Sequence, residues 1–120
     1  MTLLRVIWKR WLAALLLCGL GTLVWAALAP VPALTAPVTD LTGTLTAEQT
    51  ATLDQELRAF ATRKGSQIAI LMVPSTAPEA IEQYSIRVAD AWKLGRKAQD
   101  DGVLLLVAKD DRAMRIEVGY

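Results

Sequence analysis

The sequence contains no histidine, a single cysteine, a single phenylalanine and only two tyrosines. Without histidine the chain cannot build a Ser-His-Asp triad, a His/Cys zinc centre or an imidazole acid–base pair, so chemistry within it falls to carboxylates, hydroxyls, lysine and arginine. The one cysteine, Cys18, sits in an apolar leading segment, which leaves the remainder without any disulfide and makes cysteine usage silent on the redox compartment. A strong charge excess is also lacking. The chain is +1 overall, and because Arg5, Lys9 and Arg10 are three of its 13 Lys/Arg, residues 30 to 120 hold ten against twelve Asp/Glu, net −2. That balance excludes a nucleic-acid footprint. At 120 residues the chain has room for one small domain.

The chain begins with "MTLLRVIWKR", then "WLAALLLCGLGTLVWAALA", in which residues 11 to 29 carry no charge. As a helix these would be roughly 28 Å long, close to the hydrocarbon thickness of a bilayer. The basic residues before the run predict that it enters with its start in the cytoplasm and carries the C-terminal residues across. Trp8, Trp11 and Trp25 lie near the two ends, where indole rings favour the headgroup region. Residues 1–29 therefore read as a signal peptide or a membrane anchor. Cleavage before Ala27 fits the small-residue rule, while the site after Ala29 is followed by Pro30, which disfavours it. Cys18 is an ordinary apolar cysteine, because "LLLC" lacks the small residue expected before a lipidated one. Residues 30–36, rich in proline and uncharged, predict an extended spacer, and residues 37–120 form the domain.

Within the domain, Thr46-Ala47-Glu48-Gln49 is a capping box, and Leu53, Leu57, Phe60 and Ala61 continue one helical stripe that Gly65 ends. "SQIAILMVP" is a short buried strand stopped by Pro74. Thr76-Ala77-Pro78-Glu79 repeats the capping-box pattern ahead of Ile81, Tyr84, Val88, Ala89 and Trp92, with Trp92 in the core. "VLLLVA" is a second buried strand, so strand–helix–strand predicts a parallel pair with a right-handed crossover. "KDDR" is a tight turn into "AMRIEV", whose alternation marks a half-exposed antiparallel strand. With a short strand near Val38, the sequence predicts a small α/β sandwich, and it stops directly after its last strand, as a C-terminally truncated domain would.

"VTDLTGTLTAEQ", "GSQIAILMVPST" and "IEQYSIRVADAWKLGRKAQDDGVLLLVAKDDRAMRIEVGY" together resemble the TPM domain, a family that takes its name from plant photosystem repair proteins and an animal receptor-associated membrane protein and is common in bacterial envelope proteins. The most specific run extends from Trp92 through Gly119. The resemblance implies a three-layer α/β/α sandwich with a mixed sheet behind an N-terminal signal or transmembrane helix, often followed by a glycine-rich or membrane-bound tail. Divalent-cation binding, with Ca2+ or Mg2+ as the cofactor, and weak acid-phosphatase activity are attributed to some members.

Asp40 matches the aspartate of the family's opening motif, and Asp100 and Asp101 match the acidic pair before Gly102, which makes these three the candidate metal ligands that the resemblance implies. A hard cation requires oxygens converging from loops, and Asp-Asp-Gly offers two carboxylates beside a residue that turns closely. The plainer alternative is an Asx-turn at Asp40 and a tight turn at Asp100-Asp101-Gly102. Asp110-Asp111 lie across the following strand from Asp101, too far to share an ion, and read as hairpin residues. Ser75 and Thr76, at a helix start, are weak phosphate candidates against a capping role for Thr76. Arg96 is the nearest cation for a phosphate ester, or simply a residue that solvates a loop. No catalytic residue is assigned. The expected function is a membrane-tethered or exported binding and accessory module of the bacterial envelope, on the periplasmic side of the inner membrane or released there after cleavage, with another envelope protein as partner. The alternative is a metal-dependent phosphatase in which the cation activates water.

Overall fold

The computed structural model describes residues 27–95 and 101–119. In chain order these form β1 (Val38–Asp40), α1 (Ala47–Lys64), β2 (Ser66–Val73), α2 (Ile81–Trp92), β3 (Asp101–Ala108) and β4 (Ala113–Gly119). The expected leading helix lies outside the described residues, and among those described no helix is long and apolar enough to cross a membrane.

Helix α1 starts where its sequence dictates. The Thr46 hydroxyl accepts from the Gln49 N–H at 3.1 Å while the Gln49 side-chain oxygen accepts from the Thr46 N–H at 3.0 Å, so two of the unpaired first-turn donors are satisfied. Gly65, in the left-handed region at φ 74°, ends it with its N–H on the Ala61 carbonyl. The expected second capping box does not form. Helix α2 begins at Ile81 behind an uncapped Ala80, because the Thr76 hydroxyl donates to the Glu79 carbonyl oxygen and the Glu79 carboxylate is taken by Arg87.

The strands form one mixed sheet in the order β1-β2-β3-β4, with β1, β2 and β3 parallel and β4 antiparallel to β3. Parity separates its faces. Ala69, Leu71, Val73, Leu104, Leu106 and Ala108 point to one side, where Tyr84, Val88, Ala89 and Trp92 of α2 complete the core. Residues of the opposite parity face α1: Ile68 lies beside Leu57 and Phe60, and Val38 in register with Ile70 is buried. The expected parallel pairing of β2 with β3 is present, joined through α2 on one face, while α1 lies on the other. Helix α1 covers the β1–β2 half of its face. On the β4 half, Met114, Ile116 and Val118 are exposed, while Arg115 and Glu117 lie half-buried under α2.

Residues 30–36 are extended, as their prolines require, but the segment is not a detached spacer. Ala29, Val31 and Leu34 pack against the core, and three carbonyl oxygens accept from α2: Ala29 from Arg87 at 2.8 Å, Pro30 from the Tyr84 hydroxyl at 3.0 Å and Pro32 from the Trp92 indole at 2.8 Å. Arg87 also lies over the Tyr84 ring, 5.4 Å from its centroid. Burial pushes the Tyr84 phenol up, against the opposing effect of Arg87.

Three glycines fix the end of α2 to the sheet. A Cβ on Gly95 would meet the Gly119 carbonyl oxygen at 2.1 Å, one on Gly102 the Gly95 nitrogen at 2.4 Å, and one on Gly119 the Leu94 carbonyl oxygen at 2.4 Å. All of these neighbours are backbone, so a side chain at any of the three forces main chain apart. Gly43, by contrast, has φ 67° and open space around it.

Two outcomes are expected in denaturation experiments. Gly102→Ala costs at least about 3 kcal/mol, as expected of backbone overpacking, whereas Gly43→Ala costs only the left-handed penalty of about 1–2 kcal/mol. A chain beginning at Ala27 retains Trp92 as its single tryptophan with blue emission, whereas one beginning at Pro37 emits further to the red and loses roughly 1–3 kcal/mol for the unpaired indole N–H alone.

Candidate functional site

Asp40 ends β1 and registers with Met72 near the carboxyl end of β2, whereas Asp101 opens β3 beside Ser66 at the amino end. Six strand positions separate the two registers, about 20 Å along the sheet. Asp40 and Asp101 therefore stand at opposite edges and do not belong to one ion site, because the short first strand ends on the far side from Asp101. Asp100 and Arg96 lie outside the described residues. Among the described residues no three His, Cys, Asp or Glu side chains converge as a metal would require.

Asp40 and Asp101 each have protein partners. Asp40 accepts from the Thr42 N–H at 2.8 Å and the Leu45 N–H at 2.8 Å, together with the Thr42 hydroxyl. This is an Asx-turn extended by three residues, and it shapes the loop from β1 into α1. Burial pushes the Asp40 carboxyl up, but donation from the Leu45, Thr42 and Thr44 amides and the Thr42 hydroxyl outweighs it and holds the group below its ordinary value of 3.8. At the other edge, Asp101 accepts from the Ser66 hydroxyl at 2.6 Å, joining the starts of β2 and β3.

The carboxyl edge contains a clamp that was not expected. Asp111 accepts from the Ser75 hydroxyl at 2.9 and 2.8 Å and from the Thr76 N–H at 3.1 Å, while Ser75 accepts from the Ala77 N–H at 3.0 Å. The Asp110 N–H donates to the Pro74 carbonyl oxygen at 2.8 Å. Asp111 is thus more than hairpin punctuation, since it ties the β3–β4 turn to the loop that leads into α2. Of the weak phosphate candidates, Ser75 gives its hydroxyl to this carboxylate, and Thr76, itself buried, gives it the amide N–H while its hydroxyl donates to the Glu79 carbonyl oxygen. An exogenous phosphate there would have to displace an anion that the chain supplies itself. The sequence signal for this pair was only a spacing, Ser75 coming just after one parallel strand and Asp111 just after its neighbour.

Two further polar groups lie along α2. Glu79 and Arg87 form a salt bridge at 2.8 Å that also fixes the start of the proline-rich segment, and the carboxylate pushes the Arg87 guanidinium up. Ser85, fully buried, donates to the Glu82 carbonyl oxygen at 2.8 Å and lies 3.3 Å from the Glu117 carboxylate, which pairs with Arg115 at 3.1 Å. A serine within an apolar helix stripe was the sequence signal for this contact.

The hydrogen bonds that Asp40 accepts give its loop a pH dependence of definite sign. A carboxyl whose pKa is depressed in the folded state contributes stability that is present above its unfolded value and lost as pH falls through the folded value. Carbon-detected NMR titration is expected to place Asp40 below ordinary aspartates, and Asp40→Asn to remove that component of the acid-induced loss while costing about 1–2 kcal/mol near neutral pH.

The sequence and fold have known counterparts. Residues 38–120 match the family model TPM_phosphatase, described as the TPM domain. Among solved structures, the N-terminal domain of a protein from P. gingivalis superposes with a TM-score of 0.61 at 29% identity, over 72% of this chain and 55% of that one. The N-terminal domain of the cg2496 protein from Corynebacterium glutamicum, at 17% identity and a TM-score of 0.59 over 78% and 60% of the two chains, shares the fold. This chain thus spans little more than half the length of either relative. No curated protein matches it. With the three glycines of the "W-x-x-G", "D-G-V" and "V-G-Y" segments meeting at one backbone crossing and the family model covering everything from β1 onward, the chain belongs to the TPM domain family.

Proposed function

We propose that this protein is a TPM-domain binding and accessory module of the bacterial cell envelope, held to the inner membrane by its leading segment with the domain on the periplasmic side. The observation that carries this reading is the use made of the carboxylates. Asp40 and Asp101 stand at opposite edges, each bound to donors of the chain itself, and Asp111 is committed to a loop clamp. The polar residues thereby serve to shape loops, which suits a module that presents surfaces. The three charges before an uncharged run of 19 residues support the tether and its orientation. If the segment is cleaved before Ala27, the same domain is released to the periplasm.

A second reading, supported by the family model's name and by the acidic pair before Gly102, is a metal-dependent phosphatase. Its site would lie at the amino edge, with Asp101 and Asp100 holding Mg2+ or Ca2+ and Arg96 meeting the ester, and without Asp40. The bound cation would lower the pKa of a water molecule.

One measurement tests the placement and a second separates the two readings. In a bacterial host, the full chain should resist carbonate extraction while its domain is digested by protease added to spheroplasts; a chain that stays protected contradicts the periplasmic placement. With a chromogenic phosphate ester and Mg2+, the module reading expects no turnover above background, whereas activity abolished both by chelator and by Asp101→Asn establishes the hydrolase.

A further inference from the structure

The proline-rich segment and α2 run side by side, and their direction determines which part of the domain is nearest the leading segment. Helix α2 follows the carboxyl end of β2 through the Ser75–Glu79 loop and ends where Leu94 and Gly95 lie on Gly102, at the amino end of β3. It therefore runs from the carboxyl edge of the parallel strands to their amino edge. The segment beside it has Ala29 at Arg87 and the Glu79 salt bridge, Pro30 at Tyr84 and Pro32 at Trp92, so it takes the same course before β1 returns. The chain thus enters the domain at the carboxyl edge. Ala29 is already half-buried against the core, which leaves Ala27 and Leu28 as the only described residues ahead of the first contact. Two residues span at most about 7 Å, far less than the domain's own dimensions.

The same edge has a surface suited to an interface between water and lipid. Leu28 and Leu41 are exposed there at 53% and 54%, and the β3–β4 turn presents Lys109 and Arg112, both exposed, whose long stems can reach headgroup phosphates. The edge also carries acidic groups: Asp40, Asp111 and Glu79 are engaged by donors of the chain, Asp110 lies exposed between the two cations, and Glu48 and Glu82 are exposed in the first turns of α1 and α2.

Resting on the tethered reading, we propose that Ala29–Pro32 act as a rigid strap that seats the carboxyl edge of the domain on the lipid headgroups, so that the Leu41–Leu45 loop, the Ser75–Glu79 loop and the Lys109–Arg112 turn face the bilayer. The amino edge, with Gly65 and Asp101, faces away and is the end open to soluble partners.

The test uses the full chain with Cys18→Ser, reconstituted in vesicles of phosphatidylethanolamine and phosphatidylglycerol containing a headgroup-nitroxide lipid. One fluorescent label is placed at Asp110→Cys or at Lys64→Cys, both exposed, on opposite edges. With the edges about 24 Å apart, quenching at position 110 should exceed that at 64 by at least about threefold. A flexible Gly/Ser insertion of about ten residues between Ala26 and Ala27, which leaves the strap intact, should bring the two values together. The combined variant Tyr84→Phe, Arg87→Ala and Trp92→Phe, which removes the strap's donors, should do the same. Equal quenching at both positions in the uninserted chain, or stronger quenching at 64, overturns the strap proposal while leaving the tether in place. Failure of the chain to float with the vesicles overturns the tether, and the strap proposal with it.

Discussion

The architecture depends on one close approach: the end of α2 lies with its main chain directly on the main chains of β3 and β4. Gly95, Gly102 and Gly119 stand on three separate segments, and a side chain on any of them would meet main chain: on Gly95 that of Gly119 and Gly102, on Gly102 that of Gly95, and on Gly119 that of Leu94. The crossing sets the height and tilt of α2 above the sheet. That placement determines the burial of Tyr84, Val88 and Trp92 on Leu71, Leu104 and Leu106, and the line of donors to which the proline-rich segment binds. Helix α1 has no comparable fixation. None of its residues is fully buried, and it is held by its caps, by a half-buried apolar stripe and by the Asp54 carboxylate on the Val38 N–H.

Elements governed by local rules were legible in the sequence. The Thr46–Gln49 capping box, the Gly65 terminus, the two buried strands, the hairpin and Trp92 in the core all derive from spacing and side-chain type, and all stand in the structure. The second capping box was misleading because its two residues have better tertiary partners: Glu79 meets Arg87, and the Thr76 amide meets Asp111. A capping pattern states what a segment can do alone, and here longer-range contacts prevail. The proline-rich segment was legible as extended but not as docked, because its bonds use carbonyl oxygens that every residue carries.

The candidate site was legible only as residue types. The Asx-turn expected at Asp40 is present, whereas Asp101 and Gly102, read as part of a tight turn, lie within β3; which edge each carboxylate occupies depends on strand order and register, which depend on non-local pairing. Once the order β1-β2-β3 is known, the separation of the two is unavoidable. The Ser75–Asp111 clamp has the same origin: its members are 36 residues apart and become neighbours only because β2 and β3 pair in parallel with their carboxyl ends level.

The docked segment binds through main-chain oxygens of Ala29, Pro30 and Pro32, and no side chain of its own takes part in those bonds. Its composition can therefore drift while its length cannot. Exchanging one small or apolar residue for another leaves every acceptor in place, whereas adding or removing a single residue between Ala29 and Pro32 shifts at least one oxygen by about 3.3 Å, more than a hydrogen bond tolerates. The segment functions as a ruler: its prolines keep it extended and its apolar side chains seat it on the core, while its length sets the spacing between the residues that precede Ala29 and the helix that holds it.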